Sequence, residues 1–297
     1  MTKLCESNIV VFGVVRNCAR GLTSEINRLR AALCQAKQVF FFIVESDSSD
    51  NTVSILKEIK ASVPRFSFLS LGKLADIYPK RTERLALCRN VYIKELQAND
   101  EYAKCDHVII ADLDGVNKRL TADAIASCWT RDDWDVCAAN QDGYYYDIWA
   151  LRHPLWSPND YEEVKSFLRR AGVGRYQAQA AALFSRMIKL NPASEWIRVD
   201  SAFGGLAIYK KNILDGSSYC GLSSSGSEVC EHVALHLNIT RRGGRIYINP
   251  ALINARNVEH VRASIGGAKA IFRLRACLAD AVDWMCKYFC FISKQFL

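Results

Sequence analysis

The feature that most constrains this chain is an alternation that fills its first 114 residues. NIVVFGVV (8–15), QVFFFIVE (38–45), RFSFLSL (65–71) and HVIIADLD (107–114) are short, apolar and rich in β-branched or aromatic residues. Each reads as a strand buried on both faces. Between them lie LTSEINRLRAAL (22–33), TVSILKEIK (52–60) and TERLALCRNVYIKEL (82–96), with apolar residues three and four apart, as helices require. Strand–helix alternation of this kind predicts an α/β fold: a Rossmann-like, mostly parallel sheet with helices on both faces. Ligands of such sheets bind beyond the carboxyl ends of the strands. The tips to watch are therefore Val15-Arg16-Asn17, Glu45 to Asp50, and Asp112 to Asn117.

The second half is less regular. DVCAANQ (135–141), GGLAIYKK (204–211) and RIYINPALI (245–253) read as strands, and SEVCEHVALHLNITRRG (227–243) as a helix. The stretch KSFLRRAGVGRYQAQAAALFSRMIKL (165–190) reads as a helical lid. We expect one domain over 1–265, with a nucleotide-binding half at 1–118 and an acceptor-binding half at 119–265. A basic amphipathic tail occupies 266–297.

Half of the 297 residues are hydrophobic, ample for a core of this size, and the net charge is +8. That charge favours anionic partners without choosing among nucleic acid, a membrane surface and a phosphorylated small molecule. The basic residues are spread along the chain rather than gathered in a stripe, which argues against nucleic acid. Twelve cysteines occur, none in a Cys-x-x-Cys pair, so they read as reduced, mostly buried small hydrophobes rather than as a zinc or disulfide framework. With no apolar core behind a basic start, and no run long enough to span a bilayer, a cytoplasmic location is expected.

The strongest chemical signal is IIADLDG (109–115). An apolar strand running into Asp-x-Asp sets Asp112 and Asp114 on the same side of the chain, at the ligand edge of the sheet. Two carboxylates there can hold Mn²⁺ or Mg²⁺ and leave coordination positions for a substrate diphosphate. An isolated Asp-x-Asp is more often a plain acidic turn; here the preceding α/β units favour the metal. The second signal, VESDSSDNT (44–52), clusters acids and hydroxyls suited to a base edge and a ribose. Helix capping by Ser49 or Asp50 explains part of it without any ligand.

Three segments carry a resemblance. VESDSSDNT resembles the VDDGSTDGT turn of GT-A glycosyltransferases of the large inverting family that includes the cellulose and hyaluronan synthases. Glu45 and Asp50 match its acids, and Asp47 replaces its glycine. CEHVALHLNITRRGGRI (230–246) is similar, without a gap, to that family's EDxxLxxRLxxxGYRI pattern, with Glu231 on the Glu and His232 where the Asp stands. RTERLALCRN (81–90) resembles the Arg-x-x-x-x-x-Arg-Asn helix of capsule-related glycosyltransferases of the cryptococcal type.

The resemblance implies a metal-dependent glycosyltransferase that moves a sugar from a UDP- or GDP-type donor to a glycan or lipid-linked acceptor. It implies donor contacts from Val15, Arg16, Glu45, Asp47, Arg84, Arg89, Asp112 and Leu113. It also implies a general base at Glu231 or His232, and inversion; the capsule-type resemblance leaves retention open. A third metal ligand is expected from His232, His236 or His260, with His260 preferred because the family places it late in the chain. Tyr146, Asp147 and Trp149, in an aromatic run, are candidate acceptor contacts through sugar stacking, with core packing as the other reading. The tail segment 268–297 has the composition of a helix lying on an anionic membrane, or one packed on the enzyme body. A nucleotidyltransferase also uses a strand-end Asp-x-Asp, but VVRNCARG lacks the glycine-rich loop of that class.

Overall fold

The computed structural model describes residues 3–256. Its eight strands are β1 (Asn8–Val15), β2 (Gln38–Glu45), β3 (Phe66–Ser70), β4 (His107–Ala111), β5 (Val136–Gln141), β6 (Ile197–Val199), β7 (Leu206–Lys210) and β8 (Ile246–Ala255). They form one sheet in the order β3-β2-β1-β4-β7-β5-β8-β6. The helices are α1 (Leu22–Ala32), α2 (Thr52–Ser62), α3 (Arg81–Ala98), α4 (Asp100–Ala103), α5 (Ala122–Ala126), α6 (Tyr161–Arg170), α7 (Arg175–Ala182) and α8 (Glu231–Arg241).

The two faces of β1 show why these sequences become central strands. Ile9, Val11 and Val15 enter the cluster that includes Leu22, Ile26 and Leu29 of α1 and Leu56 and Ile59 of α2. Val10 and Phe12 enter the opposite cluster, which includes Tyr92, Ile93 and Leu96 of α3 and Leu235 and Ile239 of α8. Phe12 is fully buried and stacks on Tyr92, ring centroids 4.8 Å apart. Truncating such a side chain costs about 3–5 kcal/mol.

The predicted alternation holds through β4, and the bounds of β1 and β2 coincide with the expected ones. β4 ends at Ala111, three residues earlier than expected, and the Asp112 amide still donates to the Gly205 carbonyl opposite it at 2.9 Å. Strands β1 to β4 are parallel, whereas β7 runs antiparallel to both β4 and β5, and β6 antiparallel to β8. The lid segment forms α6 and α7, which pack on each other, and no residue of α6 is buried. Cys88, Cys105, Cys128, Cys137 and Cys230 are buried and unpaired. Among the described residues no helix is long and apolar enough to cross a membrane. The tail at 266–297 and His260 lie outside the described residues.

Candidate functional site

The chain runs outward from β1 to β2 and β3, then returns to place β4 on the other side of β1. That reversal between β1 and β4 opens the crevice in which open α/β sheets bind ligands. Arg16 and Asn17 leave β1 on one side of it, and Asp112 to Asp114 leave β4 on the other. Cys18 senses both tips: burial raises its thiol pKa, and Asp114, Asp50 and Asp112 add to the rise.

The turn after β4 is pinned by a buried amide network. Asn117 is fully buried; its side-chain nitrogen donates to the Asp112 carbonyl at 2.7 Å, and its backbone N–H donates to Glu25 of α1 at 3.1 Å. Asn254 of β8 donates to the Asn117 side-chain oxygen at 3.0 Å and to the Gly204 carbonyl at 2.8 Å. Gly204 and Gly205 have φ of +70° and +84°. A Cβ on Gly204 would lie 2.6 Å from the Ala139 carbonyl oxygen, and one on Gly205 2.8 Å from the Tyr146 hydroxyl. Only glycine lets this segment pass beneath the crevice.

Leu113 is buried, and its side chain fills the space beside Gly13. It therefore offers the crevice only its backbone. Asp112 keeps 38% of its side chain exposed at the crevice floor, and Asp114 is exposed. The Asp112 carboxyl is pushed up to about 7, first by burial among protein atoms, then by Asp114, Asp147 and Glu231, against the opposing pull of Arg89.

Arg89 of α3 is the hub. Its guanidinium donates to Asp112 at 3.2 Å and lies 3.1 Å from Glu231 at the start of α8. It sits over the rings of Phe203 and Tyr219, 5.4 and 5.7 Å from their centroids. Asp147 accepts from the Gly204 N–H at 2.9 Å, and burial raises its pKa, with Glu231 adding to the rise. Two carboxylates thus share one arginine, and Asp114 and Asp147 lie close enough to raise the Asp112 pKa.

His232 is buried between Phe203, with ring centroids 3.8 Å apart, and Tyr219. Neither ring nitrogen has a hydrogen-bond partner. Burial, then Arg89 and His236, hold its pKa well below the usual histidine range, so the ring is neutral. His236, one turn on, is spoken for: it meets the Ser201 and Tyr209 hydroxyls, each at 2.9 Å.

The tip after β2 is arranged differently. Glu45 is buried and accepts from the Ser48 N–H at 2.9 Å and from the Ser70 hydroxyl. Asp47, at φ +59°, accepts from the Ala75 N–H at 2.8 Å and lies 3.5 Å from Arg84. Arg84 itself donates to the Tyr78 and Pro79 carbonyls at 2.6 and 2.9 Å. Asp50 accepts from the Thr52 and Ala19 N–H groups, doing a cap's work from the position before the N-cap Asn51. Val15 is buried and Arg16 exposed. Tyr146 and Trp149 are half-buried; Trp149 meets Tyr161 edge-on, and its indole N–H has no partner.

Phe203 and Tyr219, which shape the site around Arg89 and His232, have no signal in the sequence: both lie in loops without periodicity. Among the described residues no group of three histidine, cysteine or acidic side chains converges to hold a metal. Two aspartates at the crevice, of which only Asp112 meets a cation among the described residues, still fit Mg²⁺ or Mn²⁺, which take one or two carboxylates and complete their shell with phosphate and water.

No family model matches the chain. No curated protein matches it either. Among solved structures it is similar to the mannosyltransferase PcManGT from Pyrobaculum calidifontis in complex with GDP-Man and Mn²⁺, with 13% identity, 83% of this chain and 56% of that one covered, and a TM-score of 0.49. It is also similar to S. aureus TarS 1–349, with 14% identity, coverage of 81% and 57%, and a TM-score of 0.47. A third similar structure is glucosyl-3-phosphoglycerate synthase from Mycobacterium tuberculosis in complex with UDP, with 14% identity, coverage of 84% and 69%, and a TM-score of 0.37. The chain spans a little over half the length of the first two.

Proposed function

We propose that this chain is a nucleotide-sugar-dependent glycosyltransferase of the GT-A type, with the donor diphosphate seated against Asp112 and Asp114. The observation that carries this reading is the excess of carboxylate at the β1/β4 crevice. Asp112 and Glu231 pair with a single buried guanidinium, Arg89, while Asp114 and Asp147 lie near Asp112 with no cation of their own among the described residues. An anionic donor enters such a site only with a divalent cation to balance it. Mn²⁺ or Mg²⁺ bound by the two aspartates would neutralise charge developing on the leaving diphosphate.

The chain's own groups do the rest. Arg16, exposed on the opposite lip of the crevice, supplies positive charge toward phosphate, whereas Arg89 is committed to holding Asp112 and Glu231 in register. Glu231 is the favoured base for the acceptor hydroxyl, because His232 is held neutral by burial and takes up a proton poorly. His232 packs beside Glu231, its Nε2 3.8 Å from the carboxylate and beyond hydrogen-bond reach. Tyr146, Asp147 and Trp149 are assigned to a glycan or lipid-linked acceptor, a reading supported for Tyr146 and Asp147 by their nearness to Asp112. We assign the protein to the cytoplasm, with the segment 268–297 as its contact to a membrane face.

Thermal-shift screening with UDP and GDP sugars, with and without Mn²⁺, tests the donor class: stabilisation by a nucleotide sugar only when metal is present supports it. Equal stabilisation without metal, abolished by no change at Asp114, refutes it. Proton NMR of the product tests the stereochemistry, and a product with the donor's own anomeric configuration refutes inversion by Glu231.

A further inference from the structure

The carboxylate crevice lies at one end of β4, and a second cleft of about 330 Å³ lies at the other. Asp106, His107, Trp129, Arg131, Asp132 and Lys210 are among the residues that line it. His107 opens β4 and pairs in register with Lys210, which closes β7. Five residues of strand, about 16 Å, separate this edge from Asp112. The cleft therefore shares no residue with the proposed transfer site.

Its chemistry is unlike that of the carboxylate crevice. Two acids, Asp106 and Asp132, face two bases, Arg131 and Lys210, so the lining has no net charge. Both bases are already engaged. Arg131 is held by Asp133 and lies over Trp196 and Tyr247, and Lys210 donates to the Asp132 carbonyl at 2.8 Å. A phosphate therefore finds no free counter-charge.

What remains is an aromatic wall with polar edges. Trp129 meets the His107 ring at 5.0 Å and Trp134 at 6.3 Å, both edge-on. Trp134 donates to the Cys128 and Arg131 carbonyls, but the Trp129 indole N–H is buried without a partner. His107, only 7% exposed, leaves Nδ1 unpartnered as well, and burial pushes its pKa down to about 4. Unpaired buried polar groups carry a desolvation cost, and both of these belong to residues in the wall of the cleft.

We infer that this cleft is an accessory binding site for a neutral saccharide, whose ring packs on Trp129 while its hydroxyls meet Asp132 and Lys210. The volume, near the low end of small-molecule pockets, suits one or two sugar rings. The inference does not depend on the activity proposed for the Asp112 edge. A site of this kind would keep a growing glycan on the enzyme while its end is extended elsewhere.

The test is calorimetric or saturation-transfer NMR titration of the full chain with neutral trisaccharides of glucose, mannose and N-acetylglucosamine, beside inorganic phosphate and UDP. At least one trisaccharide should bind saturably, with half-saturation in about the millimolar range. Trp129→Ala should weaken that binding about tenfold, and the surface change Asp132→Ala severalfold, while Asp114→Ala leaves it unchanged. Asp132 is exposed, so its variant tests the cleft even where Trp129→Ala fails to fold. Three results overturn the inference: no saturable binding of any trisaccharide, binding indifferent to Asp132→Ala, or binding lost in Asp114→Ala, which would move the sugar to the other edge.

Discussion

The acidic tips after β2 and after β4 are built from the same residue types and serve different ends. After β2, both oxygens of Glu45 are taken by Ser48 and Ser70, Asp47 holds the Ala75 N–H, and Asp50 holds two N–H groups. After β4, Asp112 accepts from Arg89 alone and Asp114 is exposed. The same contrast recurs within α8, where His236 has two hydroxyl partners and His232 has none. Asp47 is the partial exception at the β2 tip, its second oxygen meeting, among the described residues, only Arg84 at 3.5 Å; acids bonded locally brace the fold, whereas those left open at the crevice are available to a ligand.

The largest expected effect falls on the open tip. Asp114→Ala should lower sugar transfer by at least about 10³-fold, as should excess chelator, since both remove several kcal/mol of charge stabilisation. Because Asp114 is exposed, its melting temperature should stay within a degree or two of the parent. A fully active Asp114→Ala protein would remove the distinction between the two tips.

Glu231 comes next. Glu231→Gln keeps the shape and an acceptor for Arg89 but removes basicity, and should reduce kcat by about 10²–10⁴-fold. His232→Gln should cost less, as its ring stays neutral in the working pH range. A larger loss from His232→Gln than from Glu231→Gln would exchange the two roles.

The satisfied histidine yields a pH prediction. Burial lowers His236 to about 3, against an ordinary value of 6.5. The unfolded chain therefore takes up a proton near pH 6.5 that the folded chain refuses until far lower pH. The stability tied to His236 is complete above pH 6.5 and falls as pH drops toward 3. The loss reaches about 2 kcal/mol at pH 5. Urea unfolding at pH 7.5 and 5 measures it, and His236→Gln should flatten that part of the slope. An unchanged slope would show that His236 is not held neutral.

The strands that frame the crevice are legible in the sequence because burial on both faces leaves long apolar runs, as in β1 and β2. Asp112 and Asp114 are legible for the same reason, standing where such a run stops. The contacts that shape the site are not. Arg89 reads as a helix-face arginine beside a donor; that it joins Asp112 to Glu231 depends on α3 and α8 meeting across the core. Phe203 and Tyr219 belong to loops, where no periodicity marks them. β6 has three residues, too few for an alternation to show, and β7 turns antiparallel for reasons that lie in its partners.

The smallest effect is the sharpest test of the closed tip. The family turn that VESDSSDNT resembles has glycine where this chain has Asp47, and the backbone there is left-handed, at φ +59°. Asp47→Gly therefore relieves the backbone by about 1 kcal/mol and deletes a charged hydrogen bond to the Ala75 N–H worth about 1.5–3 kcal/mol. The balance is a net destabilisation of about 1 kcal/mol. Asp47→Asn should cost less still, because asparagine tolerates the left-handed region and retains an oxygen for the Ala75 N–H. If Asp47 only braces the tip, both variants should transfer sugar within a few-fold of the parent, and their melting temperatures should rank parent, Asn, Gly. A hundredfold rise in donor KM for Asp47→Asn with an unchanged melting temperature would instead place this carboxylate against the donor, and the two tips would then be alike.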